Sequence, residues 1–323
     1  MSRLTAIALA TLLAAAMAPA QAEDVVVTQY KADPSGASFA VAIAKGLFKK
    51  HGVNITDVIS GEGGGTSVRN VIASELGYGE TSPAPVISAI KEGQDVKIVN
   101  FGTRSLASNV VIVMPNSPIK TVQDLKGKKW GISNPKSLGE MSAVLTVEKA
   151  GLKPEDVPRV ALGNLQGALT ALENGVVDVT SVPGILFRSR DNDKKYRVIL
   201  KPKDLPRMTP GIGIATGDLI KKSPDKLARI IAARREAVQF MYANPKETGQ
   251  ILAKVWAPLP PDKVQVLLDE LLDAQFYSEG AIEKEPLDNV VRAMKLTHML
   301  DADVDIKALI DTSFLPADLK AVK

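Results

Sequence analysis

From residue 24 to about residue 200 the chain alternates short apolar runs with longer stretches of helical periodicity. "DVVVTQY" (24–30) reads as a strand, "SFAVAIAKGLFKKHG" (38–52) as a helix ending at Gly52, and "VNITDVIS" (53–60) as a second strand. A glycine cluster, "GEGGGTSVRN" (61–70), leads into the helix "TSVRNVIASE" (66–75), and a third short strand lies around "LGYGE" (76–80). Strands and helices alternating in this way predict a largely parallel sheet with helices on both faces.

The same pattern returns about one hundred positions later. "GKKWGIS" (127–133), "VPRVAL" (157–162) and "VVDVTSV" (176–182) are the strands, and the stretches 134–151 and 163–175 supply loops and helices. At an offset of 101, Asp33-Pro34 falls on Asn134-Pro135, Gly65 on Gln166 and Ser74 on Gly175. Two equal α/β lobes, each with three strand-to-helix junctions, account for this repeat. From Ser223 onward the chain turns helical, with Ser223 as an N-cap and Pro224 at the first helical position. Leu227, Ile230, Ile231, Val238, Met241 and Tyr242 share one face of that helix until Asn244-Pro245 ends it. The helical tail is expected to pack back on the first lobe.

The amino terminus modifies this picture. Arg3, an apolar run over 4–18 and Ala20-Gln21-Ala22 predict a secretory signal peptide spanning residues 1–22, cut before Glu23. No cysteine follows, so no lipid anchor is expected, and an exported chain with no cysteine must rest on an ordinary hydrophobic core. The periplasm is the expected compartment. A net charge of +4, spread through runs of alternating sign, gives no nucleic-acid footprint. Aromatic residues are 4% of the chain, too few for base-stacking platforms.

Enzymatic chemistry finds few candidates. The histidines are His51, in a helix-ending turn, and His298, in a tail helix. With no histidine pair, no cysteine and no nucleophile elbow, neither a metal site nor an acyl-transfer triad has members, and no cofactor is implied. The glycine cluster fits neither nucleotide template: Gly65 is followed by Thr66 and Ser67 rather than lysine, and Thr66 stands where a dinucleotide fingerprint needs glycine.

"GLFKKHGV" (46–53), the glycine loop, "GYGETSPAPVISAIKEGQDVKIV" (77–99), "TVQDLKGKKWGIS" (121–133) and "ALENGVVDV" (171–179) together resemble the nitrate/sulfonate/taurine group of periplasmic solute-binding proteins. The resemblance spans nearly the whole chain after residue 22. It implies the two-lobed periplasmic-binding-protein fold (type II), with lobe 1 formed by residues 23–108 and 210–323 and lobe 2 by 109–209. It also implies a monomeric receptor that captures a small solute and delivers it to an inner-membrane ABC permease. A periplasmic sensor that presents its solute to a membrane kinase or chemoreceptor is an alternative. A protein related to thiamine-pyrimidine metabolism is another, though the cysteine-rich motif of the enzymes in that branch is missing.

Ligands in open α/β sheets sit beyond the carboxyl ends of the strands, so the six junction loops are the expected cleft walls. Gly64, Gly65 and Thr66 would offer backbone amides and a hydroxyl. Thr81 and Ser82 follow the third strand. In the second lobe, Asn134 and Ser137, Gln166 and Pro183 mark the three junctions. Helix starts converging on one cleft favour an anionic or strongly polar ligand, and a small organic sulfonate or carboxylate is the expected solute. Asp33 and Ser35 lie in the first loop, where Asp33 also suits an ammonium group. Arg104 and Ser105, directly after "VKIV", are expected at the cleft floor, with Arg104 either clamping an acid group or tying the lobes through Glu80 or Asp33.

Overall fold

The computed structural model describes residues 22–189, 192–200, 204–256, 259–301 and 304–322. Residues 1–21, which hold almost all of the expected signal peptide, lie outside that set. Strands β1 (Glu23–Thr28), β2 (Ile55–Gly61), β3 (Tyr78–Thr81) and β4 (Val96–Phe101) belong to a first sheet. Strands β5 (Asn109–Val113), β6 (Trp130–Ile132), β7 (Arg159–Ala161), β8 (Val179–Pro183) and β9 (Arg197–Leu200) form a second. Strand β10 (Ile212–Thr216) then returns to the first, giving orders β2-β1-β3-β10-β4 and β7-β6-β8-β5-β9.

In each sheet one strand runs against its neighbours: β10 between β3 and β4, and β5 between β8 and β9. The reason is the direction of arrival. The parallel strands end at the interface between the sheets, so a strand that starts there must run the other way. The two passages between the sheets are stitched together at the first sheet. Gly102 and Thr103 donate their amides to Gly211 O (2.9 and 3.2 Å), Gly211 N donates to Thr103 Oγ1 (3.0 Å), and Thr209 Oγ1 donates to Thr103 O (2.8 Å).

The repeat extends to single residues at the helix starts. Helices begin at Ala37, Gly64 and Pro83 in the first lobe and at Leu138, Leu165 and Gly184 in the second, each pair 101 positions apart. The expected helix 38–52 is two helices, Ala37–Ala44 and Leu47–Lys50, because Gly46 takes φ 63° and redirects the chain. The glycine cluster likewise differs from a loop before a helix: Gly64 and Gly65 are the helix's first turn, Gly64–Ala73.

Most of the core is continuous through both lobes and the tail, from Val25–Val27 and Phe39 through Trp130 to Trp256 and Phe276. A smaller cluster around Ile112, Leu169, Val182 and Phe187 completes the second lobe. In the tail, Pro224–Ala243 packs on Ala37–Ala44 as expected for a tail on lobe 1. Two later helices reach further: Pro261–Asp273 touches Gly184–Arg188, and Lys284–Leu296 touches both Pro83–Lys91 and Leu138–Lys149. Ser223 precedes the long helix as expected, but its hydroxyl makes no capping bond. Among the described residues no helix is long and apolar enough to cross a membrane.

Candidate functional site

A cavity of about 890 Å³ opens between the sheets at the carboxyl ends of their parallel strands. Both lobes line it, and the start of a helix stands at each of the six junctions. In the first lobe the wall includes Asp33 and Ser35 from the first loop, Gly64 and Gly65 from the second, and Thr81 and Ser82 from the third. Asn134, Ser137, Gln166 and Pro183 face them from the second lobe.

The helix Gly64–Ala73 presents an unfilled donor set. Its N-cap, Gly63, is extended (φ −165°, ψ 164°) and has no side chain to offer. Among the described residues, the amides of Gly64, Gly65 and Thr66 meet no acceptor. Hydroxyls instead anchor the carbonyls of the turn: Ser67 Oγ donates to Gly63 O (3.1 Å) and Thr81 Oγ1 to Gly64 O (3.2 Å). Thr28 Oγ1 lies between those two hydroxyls, 2.6 Å from Ser67 Oγ and 3.0 Å from Thr81 Oγ1. Gly64 has a packing reason as well, since a Cβ there would stand 2.3 Å from Ser82 Oγ and 2.8 Å from Pro85 Cγ. Gly65 does not: its nearest neighbour would be Arg69 Nη1 at 3.7 Å, and its φ is not in the left-handed region. The next helix start is poorer in donors, because Pro83 and Pro85 carry no N–H.

The second lobe fills its helix starts from within. Ser137 Oγ accepts from Glu140 N (3.2 Å), and Asn164 Oδ1 accepts from Gly167 N (2.7 Å). Asn134 Nδ2 donates to Gly163 O (3.1 Å), tying two of the junction loops together.

Three residues expected in the wall are elsewhere. Thr66 turns away and accepts from Arg69 Nη2 (3.1 Å). Arg104 does not line the cavity. Its amide donates to Phe276 O (2.8 Å) and its guanidinium pairs with Glu283 (3.3 Å), so it faces the tail. Ser105 accepts from Ala107 N (3.4 Å) inside the first passage between lobes. The cause is strand order. β10 inserts between β3 and β4 and pushes β4 to the sheet edge, so the segment after β4 emerges beside residues 276–283 instead of the cleft floor. Tyr30 is nearly buried in the core, and burial pushes its phenol up to about 12.

Sequence reasoning missed Arg234. It is fully buried and pairs with Glu80, which is 3% exposed and lines the cavity. Its guanidinium also donates to Ser278 O (2.7 Å) and Gly102 O (2.8 Å), joining the tail, the first passage and the cleft wall. Burial pushes the Glu80 carboxyl up, against the opposing pull of Arg234. A signal was present: in the run Leu227, Ile230, Ile231, Val238, Met241, position 234 falls on the same apolar stripe. A lone charge on a buried stripe demands a partner.

Comparison with known proteins agrees with this geometry. The family described as NMT1/THI5-like matches residues 33–248. A Bacillus subtilis protein named for binding aliphatic sulfonates is 25% identical over 289 residues, covering 84% of this chain and 81% of that protein. The structure of SsuA from Escherichia coli, titled a periplasmic aliphatic sulphonate binding protein, superposes with a TM-score of 0.71 at 20% identity, over 90% of this chain and 92% of that one. The periplasmic nitrate-binding protein NrtA of Synechocystis PCC 6803 follows with a TM-score of 0.66 at 14% identity, over 93% and 91% of the two chains. The fold is therefore the two-lobed periplasmic-binding-protein fold that the resemblance implied.

Proposed function

The chain belongs to the NMT1/THI5-like family, and on that premise we propose that it is the periplasmic solute-binding component of an ABC importer, taking a small organic acid into the inter-lobe cleft. The observation that carries this reading is the pair of amides at Gly64 and Gly65, without an acceptor among the described residues, in the wall of a cavity lined by both lobes. Amides at the start of a helix suit a sulfonate or carboxylate, because the N–H groups and the helix dipole both favour negative charge. The names of the Bacillus subtilis and Escherichia coli proteins support a sulfonate. On this reading residues 1–22 direct export, lobe 1 comprises 23–108 and 210–323, lobe 2 comprises 109–209, and the monomer closes on its solute before meeting a membrane permease. On this reading the site's polar residues bind and orient the solute.

Titration calorimetry with short alkanesulfonates and alkanecarboxylates, on the wild type and on Gly65→Val, tests the reading. The added side chain has room, so the variant is expected to fold with an unchanged urea midpoint. It should bind roughly 10- to 150-fold more weakly, the loss expected when hydrogen bonds to a charged group are blocked. Equal affinity in the folded variant overturns the amide site.

A further inference from the structure

The turn that opens the helix Gly64–Ala73 is built from residues poorly suited to hold it. Glycine loses more conformational freedom on folding than any other residue, and Gly63 brings no capping side chain, so a turn of Gly63, Gly64 and Gly65 should fray. Three hydroxyls from three elements stand against it: Thr28 at the end of β1, Ser67 in the helix and Thr81 at the end of β3. Each has one proton to donate. Ser67 Oγ gives its proton to Gly63 O and Thr81 Oγ1 to Gly64 O, while Thr28 Oγ1, 2.6 and 3.0 Å from those two hydroxyls, donates to one of them. None of the three protons is left for a solute, although Thr28 and Thr81 line the cavity. A trans peptide is planar, with its C=O and N–H pointing in opposite directions. Pinning Gly63 O and Gly64 O therefore fixes the direction in which the Gly64 and Gly65 amides point.

Two further observations mark the hydroxyls as fitted to this turn. Gly61 makes room for one of them, since a Cβ there would stand 2.0 Å from Ser67 Oγ. In the second lobe the corresponding helix is capped by Asn164, and at the offset of 101 Ala168 stands for Ser67 and Val182 for Thr81. These two hydroxyls accompany the helix that lacks a side-chain cap and are missing beside the one that has it.

We propose that Thr28, Ser67 and Thr81 are positioning residues: they hold the glycine turn in one conformation before solute arrives, so that an acid group meets amides already ordered. The inference rests on the organic-acid reading above. Ser67 is its decisive member, because it is fully buried, does not line the cavity and can act on a solute only through the turn.

Two measurements on the full mature chain test it, using Ser67→Ala, Thr81→Val and Thr81→Ser, the last of which keeps its hydroxyl. The first needs no ligand. In nitrogen-15 relaxation the Gly64 and Gly65 amides of the wild type should show order parameters of about 0.85, falling below about 0.6 in Ser67→Ala and Thr81→Val and recovering in Thr81→Ser, with Val68 to Ala73 unchanged. Rigid glycines in both hydroxyl-free variants overturn the proposal, as do mobile glycines in the wild type. The second measurement titrates propanesulfonate and butyrate calorimetrically. Ser67→Ala and Thr81→Val should each bind roughly 2- to 10-fold more weakly, as for loss of one hydrogen bond. Ser67→Ala should weaken binding no further once Gly65→Val has blocked the amides. Full affinity in Ser67→Ala beside a weakened Gly65→Val overturns this inference and leaves the amide site standing. An additive loss in the double variant puts the action of Ser67 outside the turn and overturns the inference too. Unchanged affinity in Gly65→Val overturns the amide site and the positioning role with it, and a wild type that binds neither probe overturns the acid reading on which both rest.

Discussion

Gly63 and Asn164 hold the same place in the two lobes, 101 positions apart, each the last residue before a helix that starts on the cleft. Asn164 bends its side chain back and accepts from its own helix, while the first amides of the helix after Gly63 have no partner among the described residues. The first junctions repeat the contrast: Ser137 caps its helix through its hydroxyl, whereas Gly36, its counterpart, cannot. One strand further on, Glu80 faces Ser181 at the same offset, and only Glu80 needs a buried cation. The repeat therefore preserves backbone geometry and divides the labour. Lobe 2 spends its polar side chains on its own helix ends, and lobe 1 leaves donors and a carboxylate facing the cavity. Self-satisfied caps stabilise a lobe; open ones leave it able to gain on binding.

The largest expected effect tests the lobe 1 side of this contrast. Arg234→Ala leaves Glu80 and two carbonyls buried without their partner, and should lower unfolding free energy by about 3–5 kcal/mol in urea titrations. A loss below about 1 kcal/mol would show that the pair contributes no more than a surface ion pair. Asn164→Ala, which removes a cap in lobe 2, should cost about 1 kcal/mol in the same urea titrations. The smallest stability effect comes from making lobe 1 resemble lobe 2. Gly63 is extended and a Cβ there meets nothing within 4 Å, so Gly63→Asn should supply the missing cap and stabilise the apo protein by a few tenths of a kcal/mol. The same change should weaken binding, because the new side chain competes for the amides; unchanged affinity would remove those amides from the site.

Much of the cleft was legible one residue at a time. Asp33, Ser35, Gly64, Gly65, Thr81, Ser82, Asn134, Ser137, Gln166 and Pro183 all line the cavity, because each sits at a strand-to-helix junction and such junctions are marked by glycine, proline and short polar residues. Arg104 carried the same local marks and lies outside, beside Glu283. Arg234 carried none of a site residue's marks, being 130 positions from Arg104 in a helix that reads as tail, yet it holds a residue of the cleft wall.

By itself the sequence determined what depends on near neighbours: strand and helix periodicity, helix starts repeated at one fixed offset, the turn residues that put junctions at strand ends, and hence two lobes with a cleft between them. Only the tertiary structure decided which strand lies beside which, because hydrogen bonding between strands joins segments far apart in the chain. The insertion of β10 at the centre of the first sheet moved β4 to its edge and carried Arg104 to the tail. It was likewise the packing of a distant helix on Ala37–Ala44 that brought Arg234 to Glu80, whereas Asp33, at the cavity wall, has no cation paired with it among the described residues. A charge's role depends on what surrounds it in space, and local periodicity carries no record of that.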